Sequence, residues 1–246
     1  MPDRRTLPRD IAAWLALPPL LWLGLFLGCA LIIVFGVSLT DPRIGIPPFA
    51  PLVQSDGAGG MILNADFERY VRIFTDGYYV AGFLSSWRIA AIATLVCLLL
   101  GYPLAYAIAM AGPRTQIVLV LLVTVPFWTS FLIRIYAWSA LLNNNGLVNQ
   151  ALLALGLVDQ PLQLLYTEGA VIMGIVYGYL PFLVLPIYTV LHRLDPALVE
   201  AARDLGAGPW RAFLRVTVPV SLPGIVTGCL LVAVPTLGEF VVPELL

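Results

Sequence analysis

The segment Asp195-Pro196-Ala197-Leu198-Val199-Glu200-Ala201-Ala202-Arg203-Asp204-Leu205-Gly206, continued by Pro209-Trp210-Arg211 and closed by Val216-Thr217-Val218-Pro219, is a polar, arginine-bearing island between two long apolar runs. Asp195 and Pro196 stand in the order expected of an N-cap and a first helical residue, and Gly206 stands where a left-handed turn would end the helix. Pro209 can open a second short helix. Leu194, Leu198, Ala201 and Leu205 recur at helical spacing on the first, and Trp210, Phe213 and Leu214 do so on the second, so both read as amphipathic. Arg193, Arg203, Arg211 and Arg215 fall on the more polar surface. The segment can therefore present charge at a membrane face while its apolar sides pack on the protein.

Composition independently requires a membrane protein. Of all residues 60% are hydrophobic and only 11% charged, far from the balance of a soluble domain. Long apolar runs extend from Trp14 to Leu39, Trp87 to Ala111, Ile117 to Leu142, Ala170 to Leu191 and Ser221 to Val242. Each exceeds the roughly 20 residues that cross about 30 Å of hydrocarbon at about 1.5 Å per residue. Five spans are expected. Arg4, Arg5 and Arg9 precede the first run in the manner of a signal peptide, but the apolar core is longer than such a region and no small-residue cleavage site follows, so it reads as a retained helix. The whole chain, 1–246, reads as a single transmembrane domain whose polar loop occupies 192–220.

Arginine placement orients these spans, since short basic loops stay on the cytoplasmic side. The chain has no lysine; arginines cluster at the amino terminus, at Arg114 and in the polar loop, while 143–168 carries none. The amino terminus and the polar loop are expected inside. The segment 40–86 falls outside by alternation; within it Phe67, Tyr70, Val71 and Phe74 form an apolar stripe, read as an interfacial helix capped by Asn64, and Gly57 to Gly60 reads as a flexible loop.

The spacing Glu200-Ala201-Ala202, three residues, Gly206, nine residues, then Val216-Thr217-Val218-Pro219 resembles the EAA loop of ABC importer permeases, with Val216 and Val218 where that pattern favours Ile and Leu. The resemblance implies an all-α, polytopic transmembrane domain of the type I ABC importer class. It further implies that Glu200, Ala201, Ala202, Gly206 and Pro219 couple this chain to a separate cytoplasmic ATPase. A permease of this kind has six core helices, so one span past the fifth run is expected to be missing, as in a truncated product, a trimmed chain or a piece of a longer protein. A second resemblance concerns Pro126-Phe127-Trp128-Thr129-Ser130, Leu132-Ile133-Arg134 and Tyr136-Ala137-Trp138, supported by Gly101-Tyr102-Pro103-Leu104-Ala105 and Leu237-Gly238-Glu239-Phe240-Val241-Val242-Pro243. These runs are similar to spermidine/putrescine permeases of the PotB and PotH kind. Permeases for other small organic ions and for iron share parts of them.

A multiply charged amine crossing a bilayer needs carboxylates and aromatic faces in place of water. Glu239, an ionisable residue within the fifth run, is the first candidate for the substrate path. Trp128, Tyr136, Trp138, Tyr177 and Tyr179 could supply cation-attracting rings, although aromatic residues at span ends are ordinarily anchors and those within spans ordinarily pack. Arg134, ill suited to a polyamine, reads as structural, a side chain that snorkels to an interface or pairs with a carboxylate. Gly24/Gly28, Gly174/Gly178 and Gly224/Gly228 have the spacing of close helix approach, and Pro103, Pro126, Pro181, Pro186, Pro223 and Pro235 can kink their helices.

No catalytic constellation competes with a transport role. His192 is the sole histidine, too few for a histidine-rich metal site, and Cys29, Cys97 and Cys229 lie far apart in apolar runs, as buried free thiols would. A phosphate-binding loop needs a lysine that the chain lacks. No cofactor is expected here; ATP and Mg belong to the partner subunit that the resemblance implies. The same resemblance implies a homologous second permease, a dimeric cytoplasmic ATP-binding subunit and an extracytoplasmic solute-binding protein, with the chain in a bacterial inner membrane and no nucleic-acid partner. The alternatives are a permease for another small solute, an ATP-independent secondary transporter or channel, and a membrane scaffold with no solute path.

Overall fold

The computed structural model describes residues 9–40, 45, 53–55, 61–63 and 67–246. Arg4, Arg5, Asn64 and Gly57 to Gly60, which entered the sequence reading, lie outside the described residues. The chain divides into two compact units, one ending at Val80 and the other running from Ala81 to Leu246.

In the first unit α1 (Arg9–Ser38) is an unbroken helix despite Pro18 and Pro19, and its large apolar side chains from Trp14 to Phe35 are exposed. That surface suits lipid, not water. Strands β1 (Val53–Ser55) and β2 (Met61–Leu63) pair antiparallel, with Val53 opposite Leu63. Helix α2 (Glu68–Thr75) carries the expected apolar stripe, but its N-cap position is Phe67, which makes no side-chain cap. Ser38 Oγ and Tyr70 Oη share a hydrogen bond of 2.6 Å.

The second unit is built on α7 (Glu168–Leu191) and α10 (Val218–Leu237). Their approach is set by Gly224 and Gly228. A Cβ on Gly224 would lie 2.9 Å from the Pro186 carbonyl oxygen, and one on Gly228 would lie 3.0 Å from that of Leu183. Only a bare backbone fits there. Helix α3 (Gly77–Met110), which starts ten residues before the apolar run suggested, seats Gly101 against the Leu183 side chain, where an added Cβ would lie 2.6 Å from Cδ2. Buried side chains gather on both sides of α7: Val171 and Ile175 pack with Ala93 and Ile135, while Val176, Leu183 and Ile187 pack with Cys97, Ile108 and Val232.

Two of the five expected spans are not continuous helices. The run Ile117 to Leu142 is α4 (Pro113–Thr124), a 3-10 turn (Val125–Trp128) and α5 (Phe131–Leu142), and its two halves, Pro113–Trp128 and Phe131–Ala154, meet at 89°. Pro126 supplies no N–H, Thr129 donates its hydroxyl to the Pro126 carbonyl at 2.7 Å, and Thr129 and Ser130 turn extended, with ψ of 151° and 135°. The run Ser221 to Val242 likewise stops at Leu237; Gly238 caps α10, and a short α11 (Val241–Leu245) follows. Pro103, Pro181, Pro186 and Pro223 stay inside unbroken helices. Among the described residues four helices are long and apolar enough to cross a membrane, or five if the bent pair is one span. Short α6 (Leu147–Ala154) completes the arm after α5, held by Asn149, which donates to the Asn143 and Leu162 carbonyls and accepts from the Leu162 amide.

Gly228→Val should lower the stability of the detergent-solubilised chain by about 1–3 kcal/mol, because a side chain driven into a packed backbone contact forces the helices apart. Gly82→Ala, with open space around it, should leave the melting temperature unchanged. Thermal melting by circular dichroism distinguishes the two.

Candidate functional site

The polar island folds as two helices around one turn. Asp195 caps α8 (Pro196–Asp204) by accepting from the Ala197 amide at 3.0 Å, with Pro196 opening the helix. At the other end Gly206 takes φ +85°, the Gly206 amide donates to Arg203 and the Ala207 amide to Ala202. This paired closure is a Schellman turn, and its left-handed residue favours glycine. Helix α9 (Pro209–Ala212) is not a separate second helix: it runs through a π-helical turn, Phe213–Thr217, directly into α10. Pro219, without an N–H, falls at the start of α10, where the wider turn absorbs the interrupted ladder.

The apolar faces of this island pack only in part. Trp210 stacks on Phe213, whose ring meets Tyr102 and Tyr106 edge-on at 5.9 and 5.6 Å. Leu198 and Leu205 are left 50% and 90% exposed. Glu200, Ala201 and Pro219 are exposed, and Ala202 is half-buried. An outward surface of this kind, leucine tips beside a carboxylate and arginines, has the makeup of a protein-docking face.

Glu239 lies in the helix break after α10, not in a helix as its run suggested. Tyr179 Oη donates to its carboxylate at 2.8 Å, and the carboxylate caps the Val241 amide at 3.1 Å. Tyr177 is elsewhere. Two residues along a helix point about 200° apart, and Tyr177 instead meets Trp138 edge-on at 5.6 Å. Trp128 and Tyr136 are 88% and 60% exposed and join neither group. The sequence grouped these rings by residue type; helical phase separates them.

Three polar contacts escaped the sequence reading. Arg88 on α3 pairs with Glu168 at the start of α7. Gln116 Nε2 lies 3.1 Å from His192 Nδ1, beside Tyr188, and Tyr102 Oη lies 3.0 Å from Ser221 Oγ. The apolar runs concealed them, since each partner comes from a different helix. The three cysteines are free, with Cys97 buried and Cys29 exposed rather than buried. Among the described residues no group of three or more His, Cys, Asp or Glu side chains could hold a metal ion.

Residues 98–246, more than half of the chain, match the family model described as binding-protein-dependent transport system inner membrane component. The chain belongs to that family. It is an ABC importer permease, a multi-pass inner-membrane transport subunit and not an enzyme. The permease is 39% identical over 225 residues to the spermidine/putrescine transport system permease protein PotB of Escherichia coli (strain K12), covering 92% of this chain and 77% of that one. It is 42% identical over 191 residues to PotB of Haemophilus influenzae, covering 78% and 66%. The molybdenum transport system permease protein ModB of Mycobacterium bovis is 28% identical over 182 residues, covering 72% and 66%. A bacterial alginate ABC transporter, solved with its alginate-bound periplasmic protein, shares the fold, with a TM-score of 0.64 over 87% of this chain and 68% of that one at 18% identity.

In this permease Gly206→Ala should open the Schellman turn, at a cost of about 1–2 kcal/mol for a side chain in the left-handed region. Hydrogen exchange at the Ala207 amide should accelerate several-fold, and less so in Gly206→Asn, while amides within α7 stay protected.

Proposed function

We propose that this permease imports a small organic cation of the spermidine and putrescine class by alternating access, driven by a separate ATPase. Identity of about 40% over most of the chain to permeases named for those amines carries the reading, against 28% to one named for molybdenum. The chemistry of Glu239 agrees with it: a carboxylate at a helix break, beside an aromatic hydroxyl, offers a cation both charge and a ring.

The exposed island around Glu200, Ala201, Ala202, Gly206 and Pro219 docks the ATPase, which holds ATP and Mg. A homologous permease completes the pathway, a dimeric ATP-binding subunit lies inside, and a solute-binding protein delivers substrate outside. The amino terminus is placed in the cytoplasm by the arginines before the first apolar run, as those of the island place the island there. Of the candidate path residues only Glu239 enters this reading. Trp138 and Tyr177 line one cavity with a cation, Arg134, and Trp128 and Tyr136 are consistent with interfacial anchors.

The test is uptake of labelled spermidine and putrescine into proteoliposomes holding the permease and its co-purifying subunits, with and without ATP and with competing amino acids or metal ions. ATP-dependent polyamine uptake is expected; ATP-dependent uptake of another solute would remove the polyamine assignment, and ATP-independent flux would remove the coupling. Glu239→Gln should reduce polyamine uptake about tenfold or more through loss of one desolvated charge interaction, with ATPase docking intact. Glu200→Arg should abolish uptake while the chain still inserts, and retained uptake in that variant would sink the docking role.

A further inference from the structure

Arg134 is a buried cation with no ion-pair partner among the described residues. The residue is 8% exposed, and its Nε and Nη1 make no hydrogen bond among the described residues. Its guanidinium instead rests against the faces of Phe127 and Phe131, 5.8 and 5.6 Å from their centroids. Ring faces return only part of the hydration that a guanidinium loses on burial, and an uncompensated buried charge is strongly destabilising. Arg134 also lines a cavity of about 350 Å³, together with Thr129, Trp138 and Tyr177, although its Nε and Nη1 are closed off from solvent, which leaves Nη2 as the atom an occupant would meet. Among the described residues no Asp or Glu lines that cavity. Thr129 already spends its proton on the Pro126 carbonyl. The polar residues that remain in the lining are Arg134, Trp138 and Tyr177, whose side chains are chiefly donors. Such a set suits a negatively charged acceptor and repels an ammonium.

The geometry points to a carboxylate as the occupant, an Asp or Glu side chain carried on an otherwise apolar helix of the second permease subunit. Charge complementarity selects the carboxylate, and the lining selects the helix: Ile133, 67% exposed, Ala137 and Leu141 give the cavity an apolar border around one desolvated charge. A lipid phosphate fits less well. Headgroup sites gather several basic side chains, whereas among the described residues Arg134 is the sole basic one lining this cavity. The bent third span explains why the charge is available: the turn at Thr129 and Ser130 starts α5 afresh, and Arg134 falls in its first turn, its amide bonded to Ser130. The inference rests on the two-permease assembly proposed above.

The experiment uses the complete transporter, purified through a tag on this chain, with recovery of the second permease as the readout. Arg134→Glu should lower that recovery about tenfold, as expected for placing two carboxylates face to face, and Arg134→Gln should lower it less. Replacing the membrane-embedded acidic residues of the second permease by Arg, one at a time, should restore recovery with Arg134→Glu at one position. That rescue also shows that the Glu variant folds. Should the Glu chain not accumulate, Arg134→Gln decides, its reduced recovery being restored by Asp→Asn or Glu→Gln at one partner position. Normal recovery in both variants, or no rescuing position, overturns the inference. So does recovery that follows exchange of phosphatidylglycerol for phosphatidylcholine, which would identify a lipid phosphate as the occupant. If the wild-type chain retains no second permease, the two-permease assembly itself fails and this inference falls with it.

Discussion

The second unit depends on a bare backbone contact between α7 and α10. Within lipid, apolar side chains gain little by choosing each other over acyl chains, so helices associate where close approach multiplies van der Waals contacts. Gly224 and Gly228 give α10 that approach, laying its backbone against the carbonyls of Pro186 and Leu183. Everything placed on these two helices inherits the spacing. Tyr179 reaches Glu239 because α7 and the end of α10 are held at hydrogen-bonding distance, and Leu183 and Ile187 are fully buried because α3 and α10 close over them. Prolines within α7 and α10 leave this frame intact, since their helices continue through them.

Much of this was legible in residue order. Asp195, Pro196 and Gly206 encode a helix with a cap, a first residue and a left-handed end, and each performs that role. These signals are local, so they survive without tertiary information. The five apolar runs likewise marked where membrane-competent helix lies, but hydropathy sums composition and does not register direction. A 89° bend inside the third run leaves its mean hydropathy untouched. Pro126, Thr129 and Ser130 held the only hint, and prolines at 103, 181 and 223 give the same hint without breaking anything. Whether a proline bends its helix is decided by neighbours that can re-satisfy the freed carbonyl, and that is a tertiary property.

The candidate site was legible by type and not by grouping. Glu239 was found because a carboxylate in an apolar run is conspicuous, yet its partner could be chosen from Tyr177 and Tyr179 only once the phase of α7 was known. Arg134 shows the same limit more sharply. Its charge was visible, and a snorkelling or paired side chain was the natural expectation; burial against two phenylalanines with unpaired N–H groups depends on the bend that hydropathy could not see.

The π-helical turn at Phe213–Thr217 makes one rod of what the sequence presents as two pieces. From Pro209 to Leu237 the helix is continuous over 29 residues, about 43 Å at 1.5 Å per residue. Its near end is the exposed island with Trp210 and Arg211, and its far end is Gly238, one residue before Glu239. Over that length an angle of about 5° at the island corresponds to nearly 4 Å at the far end, longer than the Tyr179–Glu239 hydrogen bond itself. The carboxylate thus sits just past one end of a single helix whose other end is the exposed island.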